Sequence, residues 1–272
     1  MPYLKTRMLE IYYEISGQGE PIVFIGGLTS TVLSWKYQQK ELQKYHQVVL
    51  FDNRGSGRTR ILRPEKLSME LFANDVHHLL KGLGIKKAHI LGASMGGMIA
   101  QVFAHSYPEC CISLILCCTT CGLETGVKAQ PEIVQIMLNR DGITEEEAER
   151  RALQAVAHPS SFQKRKELLE FYLQTKLSFP HSAREIARRN EAIRTFDFCN
   201  KLQEIKVPTL IMHGAEDRLV PAGNAEILAQ RIPNAELILI QNSAHIFFIE
   251  KFEEFNMCLL DFMCRHTAVE KG

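Results

Sequence analysis

The sequence has few of the features that would direct a protein to a membrane or to nucleic acid. Its 272 residues include no apolar run near the roughly 18 that a membrane span needs. It has no block of like charges, and its formal net charge is only +1. The opening MPYLKTRMLEIYYEISG alternates and carries charges, which favours a strand over a secretory signal. We therefore expect a soluble cytoplasmic protein with no membrane or nucleic-acid partner.

The sequence also lacks a complete set of cysteine ligands for a metal ion. Five of its eight cysteines lie close together, namely Cys110, Cys111, Cys117, Cys118 and Cys121. Cys118-x-x-Cys121 has redox or metal spacing, but a zinc site would need a second ligand pair, and none has suitable spacing. Cys117 and Cys118 end the apolar run ISLILCC, where a thiol is a small buried hydrophobic group. We expect reduced cysteines and no metal site.

Short apolar runs separated by helical patterns indicate a sheet of buried strands. Six runs bounded by glycine, proline or polar residues are PIVFIGG, QVVLFDNRG, AHILGAS, CISLILCC, PTLIMHG and AELILIQ. A helix is predicted over Ser68 to Leu83, with Gly84 as its C-terminal cap. Strands that alternate with helices predict a parallel α/β sheet. LEIYYEI and PIVFIGG, joined by Ser-Gly-Gln-Gly, are predicted to pair as an antiparallel hairpin at its edge.

Residues 122–198 interrupt this alternation with charged helical patterns and no strand candidate. Three helices are predicted there, from the capping box Thr144-x-x-Glu147 toward Ala157, over Ser161 to Lys176 and over Ser182 to Arg194. A helical insertion between two strands predicts a lid over residues 122–198, with residues 1–121 and 199–272 as the core. The alternative is that these helices extend the outer layer of the core.

The stretch ILGASMGG places a serine between glycines where a predicted strand meets a predicted helix. In Gly92-x-Ser94-x-Gly96, a sharp turn would hold Ser94 in strained backbone geometry with its hydroxyl exposed, and side chains larger than glycine would clash. A glycine-rich turn also binds phosphate, but the sequence has neither Gly-x-Gly-x-x-Gly nor Gly-Lys-Ser/Thr here. Ser94 is therefore a candidate nucleophile.

A serine nucleophile needs a base, and the base needs an acid to orient it. Two later strands lead into loops with suitable residues, because LIMHGAEDRLVP carries Asp217 and LILIQNSAHIFFIE carries His245. The order nucleophile, acid, histidine along the chain is that of one known fold. Glu216 is an alternative to Asp217 as the acid, and His213 is expected to pack or to support the acid loop.

With these pieces the sequence resembles an α/β-hydrolase of the lid-bearing esterase, lactonase and haloperoxidase-like kind. The resemblance covers nearly the whole chain and is weakest in the lid. It is carried by FIGGLTS, LFDNRGSGRT, LGASMGGMIAQVFAHSYPE, PTLIMHGAEDRLVP and NSAHIFFIE. It implies an α/β fold with a mostly parallel eight-stranded sheet flanked by helices. In that fold the nucleophile follows the fifth strand and the helical lid follows the sixth.

The resemblance also implies an oxyanion hole made of two backbone N–H groups, those of Met95 and Leu28. The sequence departs from the family here, because many relatives have His-Gly where this chain has Gly26-Gly27. The missing imidazole would loosen the loop or leave room for a substrate group. Asp52 and Arg54, in the family turn that follows QVVLF, are expected to be structural.

The residues together predict two-step acyl transfer on a small-molecule ester or lactone, without a metal or organic cofactor. A hydrolase of a carbon–carbon bond next to a carbonyl, with the same three residues, remains an alternative. So does a receptor or scaffold of the same fold that binds a small molecule with little turnover. Candidates for the substrate pocket are Val220 and Ile246 beside the acid and base, and Met137, Phe162 and Phe171 in the lid, which could equally form the lid's own core.

Overall fold

A computed structural model describes residues 2–138 and 142–267 of the chain. Within them, one sheet of nine strands runs through the molecule in the order β1-β2-β4-β3-β6-β7-β8-β9, and β5 pairs with β2. The strands are β1 (Tyr3–Lys5), β2 (Leu9–Ser16), β3 (Pro21–Ile25), β4 (Gln47–Phe51), β5 (Arg60–Ile61), β6 (Ala88–Ala93), β7 (Cys111–Cys117), β8 (Thr209–Gly214) and β9 (Ala235–Ile240). Without the two-residue β5, the sheet has the eight strands that the resemblance implies, and Ser94 follows the fifth of them.

Strands β3, β4, β6, β7, β8 and β9 are parallel, and β2 joins them in antiparallel orientation. The predicted hairpin is wrong, because β2 and β3 are not neighbours. Strand β4 lies between them, with Val49 opposite Ile15 of β2 and opposite Val23 of β3. Val48 to Leu50 are completely buried, so β4 needs a partner on each edge, and it obtains both by inserting between strands that are adjacent in sequence.

The sheet is flanked by helices α1 (Lys36–Leu42), α2 (Met69–Gly82), α3 (Met95–Ser106), α9 (Gly223–Arg231), α10 (Phe247–Glu250) and α11 (Phe252–Arg265). Helix α2 confirms the predicted one, since Ser68 caps it by accepting a hydrogen bond from Leu71 N, and Gly84 follows it with φ +70°. The buried side chains form one apolar cluster on each side of the sheet. Trp35 is a core residue, 5.0 Å between ring centroids from both Phe24 and Phe248. None of the helices described could span a membrane.

Residues 122–198, called the helical segment below, run between β7 and β8. Their helices are α4 (Pro131–Leu138), α5 (Glu145–Val156), α6 (Ser161–Lys164), α7 (Lys166–Leu177) and α8 (Ala183–Arg194). The capping box of Thr144 and Glu147 is present, and Ser182 with Glu185 forms a second one at α8. The single helix predicted over Ser161 to Lys176 is divided at Arg165, whose φ of −134° is not helical. Helix α4 was not predicted.

The two ends of the helical segment meet at the sheet. Phe198 N donates a hydrogen bond to Cys121 O at 2.7 Å, and Cys121 and Cys199 form a disulfide with their Cα atoms 4.8 Å apart. The expectation that all cysteines are reduced is therefore wrong for this pair. Because the two cysteines are separated by 78 residues, no local sequence motif could predict their contact. Cys117 and Cys118 are fully buried free thiols, as the interpretation of small hydrophobic residues predicts.

Candidate active site

Ser94 occupies the turn between β6 and α3 in a backbone conformation that few residues adopt. Its φ is +57° and its ψ is −122°, outside the regions favoured for residues with a Cβ. Ser94 N donates to Cys117 O at 2.9 Å, and Thr119 Oγ1 donates to Ser94 O at 2.8 Å. These bonds to the neighbouring strand stabilise the strained turn. Ser94 is partly exposed, although Ala93 and Met95 on either side are buried.

The glycines around Ser94 are required by close backbone contacts. A Cβ on Gly92 would lie 2.1 Å from Gly96 O, and a Cβ on Gly96 would lie 2.0 Å from Ile25 O. Either contact is impossible without a backbone shift. The turn thus brings α3 against the end of β3, where the loop that contains Leu28 begins.

The loop of residues 26–30, called the oxyanion loop below after its predicted role, lies directly beside Ser94. A Cβ built on Gly27 would be 3.7 Å from Ser94 Oγ. Within the part of the chain that the structure describes, the N–H groups of Leu28 and Met95 donate no hydrogen bond. Two unpaired N–H groups near a partly exposed hydroxyl form an arrangement that can bind an anionic oxygen. Asn53 Nδ2 holds the start of the loop through Gly26 O at 2.8 Å.

Asp217 and His245 are brought together by the loops after β8 and β9. His245 Nδ1 is 2.7 Å from Asp217 Oδ2, and Leu219 N and Val220 N each donate to Asp217 Oδ1 at 2.9 Å. Burial alone would raise the pKa of Asp217. The charge of His245 and hydrogen bonds from His213 and His245 outweigh burial and lower this pKa to about 2. Asp217 is therefore an ionised group that can orient His245 and stabilise its charged form.

The two residues predicted around the acid have separate roles in the structure. Glu216 Oε2 accepts a hydrogen bond from Ser243 N at 3.2 Å, so this carboxylate binds the backbone two residues before His245. His213 Nε2 lies 2.7 Å from Val220 O and 3.2 Å from Asp217 Oδ2. His213 therefore supports the acid loop, as expected, and Asp217 is the carboxylate that contacts His245.

Glu250 holds the histidine loop and was missed by the sequence analysis. Its Oε2 accepts from Ala244 N at 2.8 Å and its Oε1 from His158 N at 2.6 Å. Glu250 is completely buried, so these two donors replace the water that its carboxylate loses. The lone acid at the end of the apolar stretch HIFFIE was the available signal. Glu250 joins the residue before His245 to the helical segment.

The structure collects the three predicted catalytic residues at one edge of the sheet. Ser94 follows β6, Asp217 follows β8 and His245 follows β9, and the carboxyl ends of these parallel strands share that edge. The Asp217–His245 contact is formed. Ser94 Oγ makes no hydrogen bond within the described residues, so the predicted contact between Ser94 and His245 is not observed. In other enzymes such contacts are often long before substrate binds.

The candidate pocket residues occupy different environments. Phe171 lies 5.3 Å between ring centroids from Tyr37 and lines a surface groove of about 360 Å³ that does not include Ser94. Phe162 is exposed, Met137 is partly buried against the core, and Ile246 is buried. Val220 is partly buried next to Asp217. A pocket role stays a prediction for all five. No cluster of three or more His, Cys, Asp or Glu suited to a metal occurs among the described residues.

Comparisons with known proteins agree with this fold. A family model described as alpha/beta hydrolase fold matches residues 20–252. The "Putative carbamate hydrolase RutD" of Azorhizobium caulinodans is 30% identical over 265 residues, which cover 96% of this chain and 98% of that protein. Among solved structures, a thermophilic esterase from Thermogutta terrifontis has a TM-score of 0.82 at 25% identity and covers 98% of both chains. Est816, described as an N-acyl homoserine lactone degrading enzyme, has a TM-score of 0.83 at 27% identity and covers 96% of this chain and 100% of its own.

Proposed function

Since this chain belongs to the alpha/beta hydrolase fold family, we propose that it hydrolyses a small carboxylic ester, lactone or carbamate by two-step acyl transfer through Ser94. The observation that carries the proposal is the strained, partly exposed Ser94 beside two unpaired backbone N–H groups. A strained turn of this kind persists only where the surrounding structure holds it, and such strain clusters at active sites. The buried Asp217–His245 pair supplies the base that a serine hydroxyl needs.

In the first step His245 Nε2 takes the proton of Ser94 Oγ as the oxygen attacks the substrate carbonyl carbon. The bond of His245 Nδ1 to Asp217 keeps the other ring nitrogen free as the proton acceptor. The carbonyl oxygen becomes an oxyanion and accepts hydrogen bonds from Leu28 N–H and Met95 N–H. Each such donor is worth on the order of 3 kcal/mol in a protease where one was removed.

In the second step His245 gives its proton to the leaving oxygen or nitrogen, and the bond between that atom and the carbonyl carbon breaks, which leaves an acyl-enzyme on Ser94. With a lactone the ring opens, and the new hydroxyl stays attached to the acyl group. A water molecule then loses a proton to His245 and attacks the same carbonyl carbon. Collapse of this second tetrahedral intermediate returns the proton to Ser94 Oγ and releases the acid. Esters, lactones and carbamates share the carbonyl bound to a heteroatom leaving group that this sequence of steps requires.

The relatives support this range of substrates. RutD is described as a carbamate hydrolase, Est816 as a lactone-degrading enzyme and the Thermogutta protein as an esterase. All three descriptions name a carbonyl compound that yields to acyl transfer. We extend the range of the sequence-based prediction to carbamates for this reason.

We further propose that the helical segment is a lid over this site. Its helix α5 ends against the catalytic loops, since Arg218 Nη2 donates to Gln154 O at 2.6 Å and Ile246 N donates to Val156 O at 3.4 Å. These contacts flank Asp217 and His245 in sequence. A segment placed there can shield the bound substrate from bulk solvent and shape the acyl pocket.

The test is labelling with a fluorophosphonate together with turnover of p-nitrophenyl acetate, an N-acyl homoserine lactone and a p-nitrophenyl carbamate. We expect wild type to label and to turn over at least one substrate, and Ser94→Ala to do neither. Ser178→Ala, which changes an exposed serine on the helical segment, is the matched control and should behave as wild type. If folded wild-type protein is neither labelled nor active on any of these substrates, the acyl-transfer proposal is wrong and a binding role takes its place.

A further inference from the structure

Two cationic side chains of the helical segment donate hydrogen bonds to neighbouring residues of the oxyanion loop. Lys176 Nζ, from α7, donates to Thr29 Oγ1 at 3.0 Å. Arg189 Nη1, from α8, donates to Leu28 O at 2.8 Å, and its Nη2 donates to Gly55 O. Neither residue was singled out from the sequence, because nothing local relates residues 176 and 189 to residues 28 and 29.

Arg189 is placed where a charge is costly. It is 1% exposed, and its donors go to backbone carbonyls of two loops and toward His181 Nδ1 at 3.3 Å. Burial lowers the pKa of Arg189 to about 10, with Glu185 opposing that shift and Arg188 adding to it. A buried guanidinium without a carboxylate in contact is stabilised by the carbonyls it binds. Those carbonyls are held in place in return.

Lys176 is partly buried. Burial lowers the pKa of Lys176 to about 8, and the negative charge of Glu149 opposes this shift. The ammonium group lies 4.8 Å from the centroid of the Tyr172 ring, and its hydrogen bond to Thr29 is the one observed among the described residues. Burying a lysine is unfavourable, so the contact with the loop offsets a real desolvation cost.

Apart from these two cations, the oxyanion loop is held by packing of the Leu28 side chain against the apolar core and by two hydrogen bonds to its backbone. Gly26 and Gly27 have no side chains, and the anchor from Asn53 reaches only Gly26 O. Ser30 N bonds back to Gly27 O at 3.2 Å within the loop itself. The carbonyl and the N–H of Leu28 lie in adjacent peptide planes joined at the Leu28 Cα, so fixing the carbonyl limits the movement of the N–H. The two cations therefore hold the part of the loop that carries the oxyanion donor.

We propose that Lys176 and Arg189 are positioning residues that hold the oxyanion loop, so that docking of the helical segment completes the oxyanion hole. This proposal rests on the acyl-transfer function proposed above. The helical segment then covers the site and also orients the N–H of Leu28. Displacement of the helical segment would lower the rate of the chemical step and not only the affinity for substrate.

The first experiment compares Lys176→Met, Thr29→Val and the double variant on the best substrate found for wild type. Loss of loop positioning should lower kcat by roughly 10- to 100-fold with a smaller change in KM, since small displacements in a reacting site have effects of this size. The double variant should lose no more than either single variant, because both remove the same bond. Thr29→Ser should recover the loss of Thr29→Val. Lys166→Met, which changes an exposed lysine on the same helix, is the matched control.

The second experiment compares Arg189→Met with Arg189→Lys, and with Arg184→Met as a control that changes an exposed arginine on the same helix. We expect Arg189→Met to slow both turnover and inactivation by fluorophosphonate, and Arg189→Lys to recover part of both rates. Melting temperatures of all variants are measured alongside. If Arg189→Met does not fold, Lys176→Met still tests the positioning role.

Wild-type kcat in Lys176→Met, or additive losses in the double variant, would overturn the positioning role while leaving acyl transfer intact. An inactive, unlabelled wild type would instead overturn the acyl-transfer function and this proposal with it.

Discussion

Gly27 and Ser94 approach so closely that a Cβ added to Gly27 would lie 3.2 Å from Ser94 Cβ and 3.7 Å from Ser94 Oγ. The first of these distances is tighter than ordinary van der Waals contact, so the side chain absent at Gly27 makes room for the backbone of the oxyanion loop beside the nucleophile. A substrate carbonyl bound at Ser94 would occupy the same narrow space. A displacement of the backbone of this loop should therefore lower kcat even where the free energy of unfolding of the protein is unchanged.

The first prediction concerns Gly27→Ala. The added methyl group would push the oxyanion loop or Ser94 by a few tenths of an ångström, and we expect kcat to fall roughly 10-fold or more with little change in melting temperature. Steady-state kinetics and thermal unfolding measure the two effects. An unchanged kcat would show that the loop does not contribute a donor.

Gly84→Ala is the contrasting control. Gly84 has φ +70° at the end of α2 and open space around its Cβ position, so alanine is strained there without a clash. We expect a loss of about 1 kcal/mol in unfolding free energy and wild-type kcat. The opposite responses of the two glycines separate effects on the site from effects on the fold.

The second prediction distinguishes the two neighbouring acids. Asp217→Asn should lower kcat by roughly 10³- to 10⁴-fold, because an amide cannot hold His245 in the required tautomer or stabilise its charged form. Glu216→Gln should have a much smaller effect, because Glu216 contacts the backbone of Ser243 and not His245. Equal losses in the two variants would contradict the assignment of the acid.

The third prediction concerns acid stability. Interactions with His245 and His213 lower the pKa of Asp217 from its usual 3.8 to about 2, despite burial. A lowered carboxyl pKa stabilises the folded state above the unfolded value, and this contribution is lost as the pH falls through the folded value. We expect on the order of 2 kcal/mol to be lost between about pH 4 and pH 2.

Urea unfolding of wild type and Asp217→Asn across this range measures that contribution, because the variant lacks the titrating group. The free energy of unfolding of wild type should fall more steeply than that of the variant. Parallel curves would mean that the pKa of Asp217 is the same in the folded and unfolded states.

The fourth prediction concerns the disulfide between Cys121 and Cys199. It closes a loop with a sequence separation of 78, and a cross-link of that length is expected to contribute about 4 kcal/mol by restricting the unfolded chain. Cys199→Ser should lower the melting temperature by roughly 10 °C, and dithiothreitol should lower that of wild type by a similar amount. Cys258→Ser, which changes a free cysteine, is the control. A Cys199→Ser variant that melts at the wild-type temperature would contradict this contribution.

The sequence alone determined those features that depend on residues close together in the chain. Gly92-x-Ser94-x-Gly96 specifies the turn because its steric demands are local, and Thr144 with Glu147 specifies the start of α5 for the same reason. The apolar runs predicted six strands of the sheet, since burial on both faces leaves a continuous apolar pattern.

The tertiary structure decided which distant residues meet. It placed β4 between β2 and β3, joined Cys121 to Cys199, and brought Lys176 and Arg189 to the oxyanion loop. None of these contacts has a local signature, because a strand edge, a thiol or a long cationic side chain accepts many partners. The choice among them is made by the packing of the whole chain, in which the buried backbone groups and charges must find partners at the same time as the apolar side chains pack.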